Sequence, residues 1–214
     1  MTSLITEQIE SYCEAHTTCE TELLYRLYRE THLKTLRPRM LAGHLQGRFL
    51  AIISKMIKPE KILEIGTFTG YSALCLAEGL QENGELHTIE IEEEFEEVIT
   101  KYFSLSVNKE KLHLHIGNAL EIIPALNYPW DLVFMDAEKS EYLQYYEMVL
   151  PAVKKGGFIL ADNMLWNCKV IEPVAENDLE TKAVVAFNNY IQNDLRVANV
   201  LLPVRDGLLL IEKL

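Results

Sequence analysis

The chain has 214 residues, 49% hydrophobic and 24% charged, which suits one globular domain with a full core. Its 32 acidic and 20 basic residues leave a formal net charge of −12. That balance gives no general basic footprint for a nucleic-acid backbone or an anionic membrane, leaving only a local patch open.

The opening M-T-S-L-I-T-E-Q-I-E lacks the basic and apolar regions of a signal peptide. No apolar run approaches the ~20 residues of a membrane span. Cys13, Cys19, Cys75 and Cys168 show no C-x-x-C spacing and read as thiols of a reduced compartment, so a soluble cytoplasmic protein is expected. Residues 4–34 are predicted to form two amphipathic helices. Leu23, Leu24, Leu27 and Tyr28 make their apolar face, and Glu20, Glu22, Arg26, Arg29 and Glu30 face water. A loop broken by Pro38 follows, then a third helix with Leu45, Phe49, Ile52, Ile53 and Met56 on one core-directed stripe, ending before Pro59. Residues 1–58 are thus expected to be N-terminal helices and a lid on an α/β core spanning 59–214, in one domain.

From Lys61 the pattern alternates. Strands are predicted at 61–65, 85–89, 112–116, 131–135 and 158–161, the last after a turn at Lys154-Lys155-Gly156-Gly157. Between them lie helices at 71–81, from Glu92, at 119–126, and around Tyr142, Tyr145 and Tyr146. A helix at 179–193 leads to apolar runs at 197–204 and 208–212, joined through Arg205-Asp206-Gly207 as a hairpin. The expected fold is a doubly wound, Rossmann-like α/β sheet of seven strands. It is mostly parallel, has an antiparallel strand from the C-terminal hairpin, and carries helices on both faces.

In such sheets ligands sit beyond the carboxyl ends of the strands. The first strand runs into G-x-x-x-G, where Gly66 and Gly70 lack the Cβ that would block a ligand. Glu64, an acid near the end of a buried strand, calls for a cationic or hydrogen-bonding partner. An ordinary βα turn with a backbone-capped Glu is the alternative. Glu90 stands 24 residues after Gly66, near the ~20 expected of an acid that holds ribose hydroxyls, or else caps the helix after it. Asn118 ends the third strand. Asp136, Asp162 and Asn163 end the fourth and fifth, and three oxygen donors without His or Cys suit Mg²⁺, Mn²⁺ or Ca²⁺ rather than zinc. Two unrelated loop acids would give the same spacing. Lys139, three residues past Asp136, is either a solvated side chain or a general base beside the cation.

Four segments, I-L-E-I-G-T-F-T-G-Y-S at 62–72, M-D-A-E-K-S-E-Y at 135–142, A-D-N-M-L-W at 161–166 and L-P-V-R-D-G-L-L-L at 202–210, together resemble the cation-dependent class I O-methyltransferases, the catechol and caffeoyl-CoA O-methyltransferase group. The resemblance runs from about Met40 onward. It implies S-adenosylmethionine contacts from Met40, Glu64, Gly66, Ser72, Glu90, Ala119 and Asp136. It also implies a divalent cation on Asp136, Asp162 and Asn163, with Lys139 as the base. The family commonly has Asp where this chain has Glu138 and Asn118. Trp166, Tyr71, Tyr142, Tyr145 and Tyr146 are candidates to line the acceptor cleft, packing being the other role for the last three.

The expected reaction is metal-dependent methyl transfer from S-adenosylmethionine to a hydroxyl of a small catechol-like acceptor. One alternative is a tRNA hydroxyuridine O-methyltransferase, for which Arg26, Arg29, Lys34, Arg37 and Arg39 would supply phosphate contacts against the unfavourable net charge. Another is a non-catalytic S-adenosylmethionine-binding module. A homodimer is expected by the same resemblance.

Overall fold

Helix starts and stops follow local signals. In the computed structural model, which describes residues 7–214, α1 (Glu7–Ala15) and α2 (Glu22–Lys34) occupy the predicted helical stretch. The predicted start at residues 4–6 lies outside the described residues. Thr21 caps α2, its Oγ1 accepting from the Leu24 amide at 3.3 Å. Leu24, Leu27 and Thr31 are buried beneath it. Two acids expected to face water instead tie this helical pair to the core. Glu20 accepts from the Tyr71 hydroxyl at 2.6 Å, and Glu30 from that of Tyr102 at 2.7 Å. Each buried phenol needs an acceptor, and a carboxylate supplies one.

The third helix, α3 (Gly43–Ile57), ends on Lys58 in the left-handed conformation. Its buried face only overlaps the predicted stripe, of which Phe49 and Ile53 pack against the core. Gln46, Gly47, Arg48, Leu50, Ala51 and Ser54 point inward, while Ile52 and Met56 are 56% and 73% exposed. The cause is close packing: a Cβ on Gly47 would lie 2.6 Å from the Tyr71 ring, and one on Gly79 2.2 Å from the Ser54 carbonyl carbon. Only small residues allow that approach.

Strand β1 (Lys61–Ile65) feeds α4 (Tyr71–Leu76), which tightens into a 3-10 turn at Ala77–Gly79 rather than continuing to residue 81. There follow β2 (Glu85–Glu90), α5 (Glu96–Ser104), β3 (Leu112–Ile116), α6 (Ala119–Ile122), β4 (Trp130–Met135) and α7 (Tyr142–Val149). β5 (Val153–Asp162) already contains the predicted Lys-Lys-Gly-Gly turn. Val153 pairs with Trp130 and Phe158 with Leu132, so residues 154–157 bulge opposite Asp131, with Gly156 at φ +76°. Last come α8 (Leu179–Gln192), β6 (Val197–Leu202) and β7 (Leu208–Lys213).

The sheet order is β3-β2-β1-β4-β5-β7-β6, with β1 to β5 parallel and β7 antiparallel to both β5 and β6. Two apolar layers cover it. One packs α6, α7 and α8 on Leu63, Val133 and Ile159; the other packs α2 to α5 on Ile62, Leu132 and Leu160. Alternate residues of each strand serve opposite faces, which is why central strands are apolar throughout. Among the described residues no helix is long and apolar enough to cross a membrane, and none of the four cysteines forms a disulfide.

Candidate active site

The turn after β1 brings backbone against backbone. Gly66 has φ +95°, and a Cβ there would meet the Asp136 carbonyl oxygen at 2.0 Å. Its amide donates to Ile89 O at 3.0 Å, while the Asp136 amide donates to Ile65 O at 2.9 Å. The carboxyl ends of β1, β2 and β4 are thereby locked into one rim.

Glu64 is fully buried in that rim. Thr88 Oγ1 donates to its Oε2 at 2.5 Å, while Oε1 has no hydrogen-bond partner in the protein. Burial raises its pKa to about 8 against the opposing pull of the Ser72 and Thr88 hydroxyls, and Asp136 and Glu90 add negative charge nearby. A buried acid with an orphaned oxygen among other acids fits a ligand that brings positive charge. Glu90 is 6% exposed, and its carboxylate is largely engaged: Oε2 accepts from the Thr67 and Phe68 amides at 3.2 and 2.6 Å, and Oε1 from Glu92 at 3.0 Å. It therefore holds the glycine turn as well as starting the next loop, with lone pairs to spare. Burial raises its pKa, and these amides oppose the rise.

At the ends of β4 and β5 stand Asp136, Asp162 and Asn163. Asp162 is 2% exposed; its Oδ1 accepts the Asn163 amide at 2.8 Å and its Oδ2 accepts Gln46 Nε2 at 2.7 Å. Burial and the nearby Asp136 push its pKa up, while Lys139, Gln46 and Arg205 pull it down. Asn163 adopts φ +63°, which turns the chain sharply after the strand. Asp136 remains partly open to solvent. An all-oxygen set in which burial and the neighbouring Asp136 disfavour the charge of Asp162 fits a hard divalent cation, which would relieve it.

Lys139 is 6% exposed. Its Nζ lies 3.4 Å from Asp136 Oδ1, 2.5 Å from the Tyr142 hydroxyl and 6.0 Å from the centre of the Trp166 ring. This is no solvated lysine: it is held beside the acids and under an aromatic wall. Tyr142 donates onward to Met135 O at 2.9 Å, and so fixes the Lys139 nitrogen from below.

Other candidates are more dispersed. Ser72 sits in the first turn of α4 and Ala119 in the first turn of α6, both buried. Asn118 caps α6, its Oδ1 accepting from Leu120 at 2.9 Å. Glu138 caps the 3-10 turn that carries Lys139. Met40 is 51% exposed at the end of the Pro38–Met40 turn. Next to that turn a cleft of about 340 Å³ opens, bordered by Tyr28, Leu41, His44 and Arg205. Tyr71 does not reach a cleft: it is buried at 1% between α3 and α4. Tyr145 and Tyr146 are buried in the core beside α8.

Two residues of the site, Arg205 and Gln46, are not evident from the sequence. Arg205 Nη1 donates to Leu41 O at 3.1 Å, to Ala42 O and to Gln46 Oε1 at 2.7 Å, and Gln46 in turn donates to Asp162. This relay links the 205–207 turn, α3 and the fifth strand. A glutamine amid the apolar residues of α3 is the one signal of it.

The fold and the sequence both have counterparts among known proteins. Residues 14–214 match the protein family described as O-methyltransferase. The chain is 30% identical over 211 residues to a Dictyostelium discoideum protein named "Probable caffeoyl-CoA O-methyltransferase 2", covering 96% of this chain and 91% of that one. Two solved structures superpose closely. The SAH-bound methyltransferase PaMTH1 of Podospora anserina gives a TM-score of 0.89 at 25% identity, covering 97% of this chain and 94% of that one. The O-methyltransferase TomG of Streptomyces achromogenes, solved with SAM and involved in tomaymycin synthesis, gives 0.88 at 26%, covering 98% and 99%.

Proposed function

The chain belongs to the O-methyltransferase family and is a SAM-dependent enzyme; from that premise we propose that it methylates one of two neighbouring hydroxyls on a small, catechol-like acceptor, aided by a divalent cation. The observation that carries this reading is Lys139 buried beside Asp136, with Asp162 and Asn163 at the next strand end.

Asp136, Asp162 and Asn163 would hold the cation, which supplies Lewis acidity to both acceptor oxygens when bound. Gln46 and Arg205 keep Asp162 oriented. Lys139 Nζ accepts or shares the acceptor's hydroxyl proton, with Tyr142 fixing its position. Trp166 gives the acceptor ring an apolar wall and excludes water. On the other side of the rim, the turn that Gly66 packs onto the Asp136 backbone receives the methyl donor, Glu64 and Ser72 face its positive end, and Glu90 holds the ribose. Met40 and Ala119 complete that side. Both reactants are thus held for in-line attack.

A second reading, methylation of a hydroxyuridine in tRNA, draws on the exposed side chains of Arg26, Arg29, Arg37 and Arg39. Lys34 is already paired with Glu30 at 2.8 Å. The exposed apolar flank of α3 at Ile52 and Met56 supports a homodimer, checked by sedimentation.

The test is methyl transfer from labelled SAM to a catechol panel and to bulk tRNA, with Mg²⁺ or with a chelator. Metal-dependent labelling of catechols alone is expected. Asp162→Ala should abolish it, and transfer that survived both this change and the chelator would sink the metal role. Lys139→Met should lower kcat by about 10²–10⁴-fold with little effect on the KM for SAM. An unchanged kcat would remove Lys139 from proton transfer.

A further inference from the structure

Toward the amino ends of β2 and β3, the pleat of these two outermost parallel strands aligns a second set of ligating groups. Glu85 and His87 are two residues apart on β2 and so share one face. His113 is the direct partner of His87 across the β2–β3 ladder, and His115 follows on the same side. One ligating atom each from Glu85, His87 and His113 can be chosen so that all three lie within 4.8 Å of one another. The His87 ring stacks on those of His113 and His115, with centroids 4.8 and 5.3 Å away. Its Nδ1 is 3.0 Å from His115 Nε2 and its Nε2 3.3 Å from Glu85 Oε2. His113 Nε2 is buried without a hydrogen-bond partner.

Three stacked imidazoles and an orphaned ring nitrogen are a poor way to fill a sheet face, because a buried polar atom left unpaired destabilises the fold. The same arrangement is well suited to a metal. Burial, reinforced by the neighbouring imidazoles, lowers the pKa of His87 to about 4 and also lowers that of His115, so these rings are neutral near pH 7. Neutral imidazole is the ligating form.

We propose that Glu85, His87 and His113 form a second, non-catalytic site for a transition-metal ion of the Zn²⁺ or Ni²⁺ type, spanning strands β2 and β3. Two imidazoles and a carboxylate select borderline ions over Mg²⁺, the opposite preference to that of the all-oxygen set. His115 holds His87 by its far nitrogen, as an outer hydrogen-bond partner does for a ligating histidine. Lys61 now compensates Glu85, and it also lies 4.5 Å over the Tyr128 ring. The ion replaces one cation with another, and Lys61 keeps its aromatic contact. β3 is an edge strand paired on one side only, so the ion acts as a staple across the last ladder of the sheet.

The probes are Co²⁺ and Zn²⁺ added to the full chain and to Asp136→Asn/Asp162→Asn, which removes the competing carboxylates at the other site. One Co²⁺ per chain with tetrahedral-type d–d absorption is expected in the Asp136→Asn/Asp162→Asn variant, and the same absorption in the unaltered chain, where the all-oxygen site can take a second ion. His113→Gln should weaken binding at least about tenfold while leaving methyl transfer at its wild-type rate. Zn²⁺ at a hundredfold excess over its Kd should raise Tm by about 5 °C. If His113→Gln fails to fold, Glu85→Gln at the more exposed ligand gives the same reading. Absence of stoichiometric binding in the Asp136/Asp162 variant overturns the proposal, as does equal affinity after His113→Gln or Glu85→Gln.

Discussion

Glu64 is fully buried, with one oxygen held by Thr88 and the other without a hydrogen-bond partner. Its carboxyl titrates near 8 in the fold, against 4.5 as the ordinary value. An acid with a raised folded-state pKa contributes stability that is complete below its unfolded pKa and is lost as pH rises through the folded one. The ligand-free protein should therefore lose roughly 1.5 kcal/mol between about pH 6.5 and 8 through this group. His87 does not obscure the window: its pKa is lowered to about 4 from 6.5, so its contribution is lost only on the acid side. Urea unfolding across that range should show a shallower pH slope in Glu64→Gln, since Glu90 and Asp162 are raised as well. An identical slope would contradict the assignment. Gly66→Ala, forced into a left-handed backbone with its Cβ at the Asp136 carbonyl, should cost about 1–3 kcal/mol in the same measurement. These features are legible in part from the residues alone. An acid inside an apolar strand signals a partner, and the glycine spacing marks a close approach. That Glu90 also holds three backbone amides is not legible, because those amides come from two separate loops.

At the scale of elements, strand positions follow from the sequence within a residue or two, apart from the start of β5, because continuous apolar runs between glycine turns have few other uses. For α3 the sequence points to only part of the buried face: Phe49 and Ile53 pack on the core, while Ile52 and Met56 do not. Its periodicity favours large apolar residues, yet the core takes Gly47, Ala51 and Ser54 so that α4 can come close. Leu50→Ala should therefore cost about 2–5 kcal/mol, whereas Ile52→Ser and Met56→Ser should each stay within about 0.5 kcal/mol of wild type. Thermal melts of the monomeric protein at low concentration check this; a large loss at Met56 would restore the predicted stripe. The Gln46–Arg205 relay is hidden for a related reason. Its members are separated by 159 positions and meet only after the sheet is complete.

Across the whole molecule, attachment is uneven. α2 is tied to the core by Thr31 against Thr69 at 3.0 Å and by Glu30 against Tyr102, whereas none of the described side chains of α1 is fully buried. Amide exchange should accordingly be fastest in α1, intermediate in α2, and limited by global unfolding in β1 and β4. Uniform protection across these elements in mass-spectrometric exchange would count against that gradient. The strand order carries a further consequence, one of timing. β7 is made after β6 but lies inside it, directly against β5. During synthesis the outer edge of β5, with Ile159, Leu160 and Ala161, waits for about 45 more residues, or roughly 2–9 s at ribosomal speeds. For those seconds the nascent chain presents an apolar, unpaired strand that any other extended segment can join. The same late arrival brings Arg205 to Gln46, so the site for chemistry and the protection from aggregation are completed by one event.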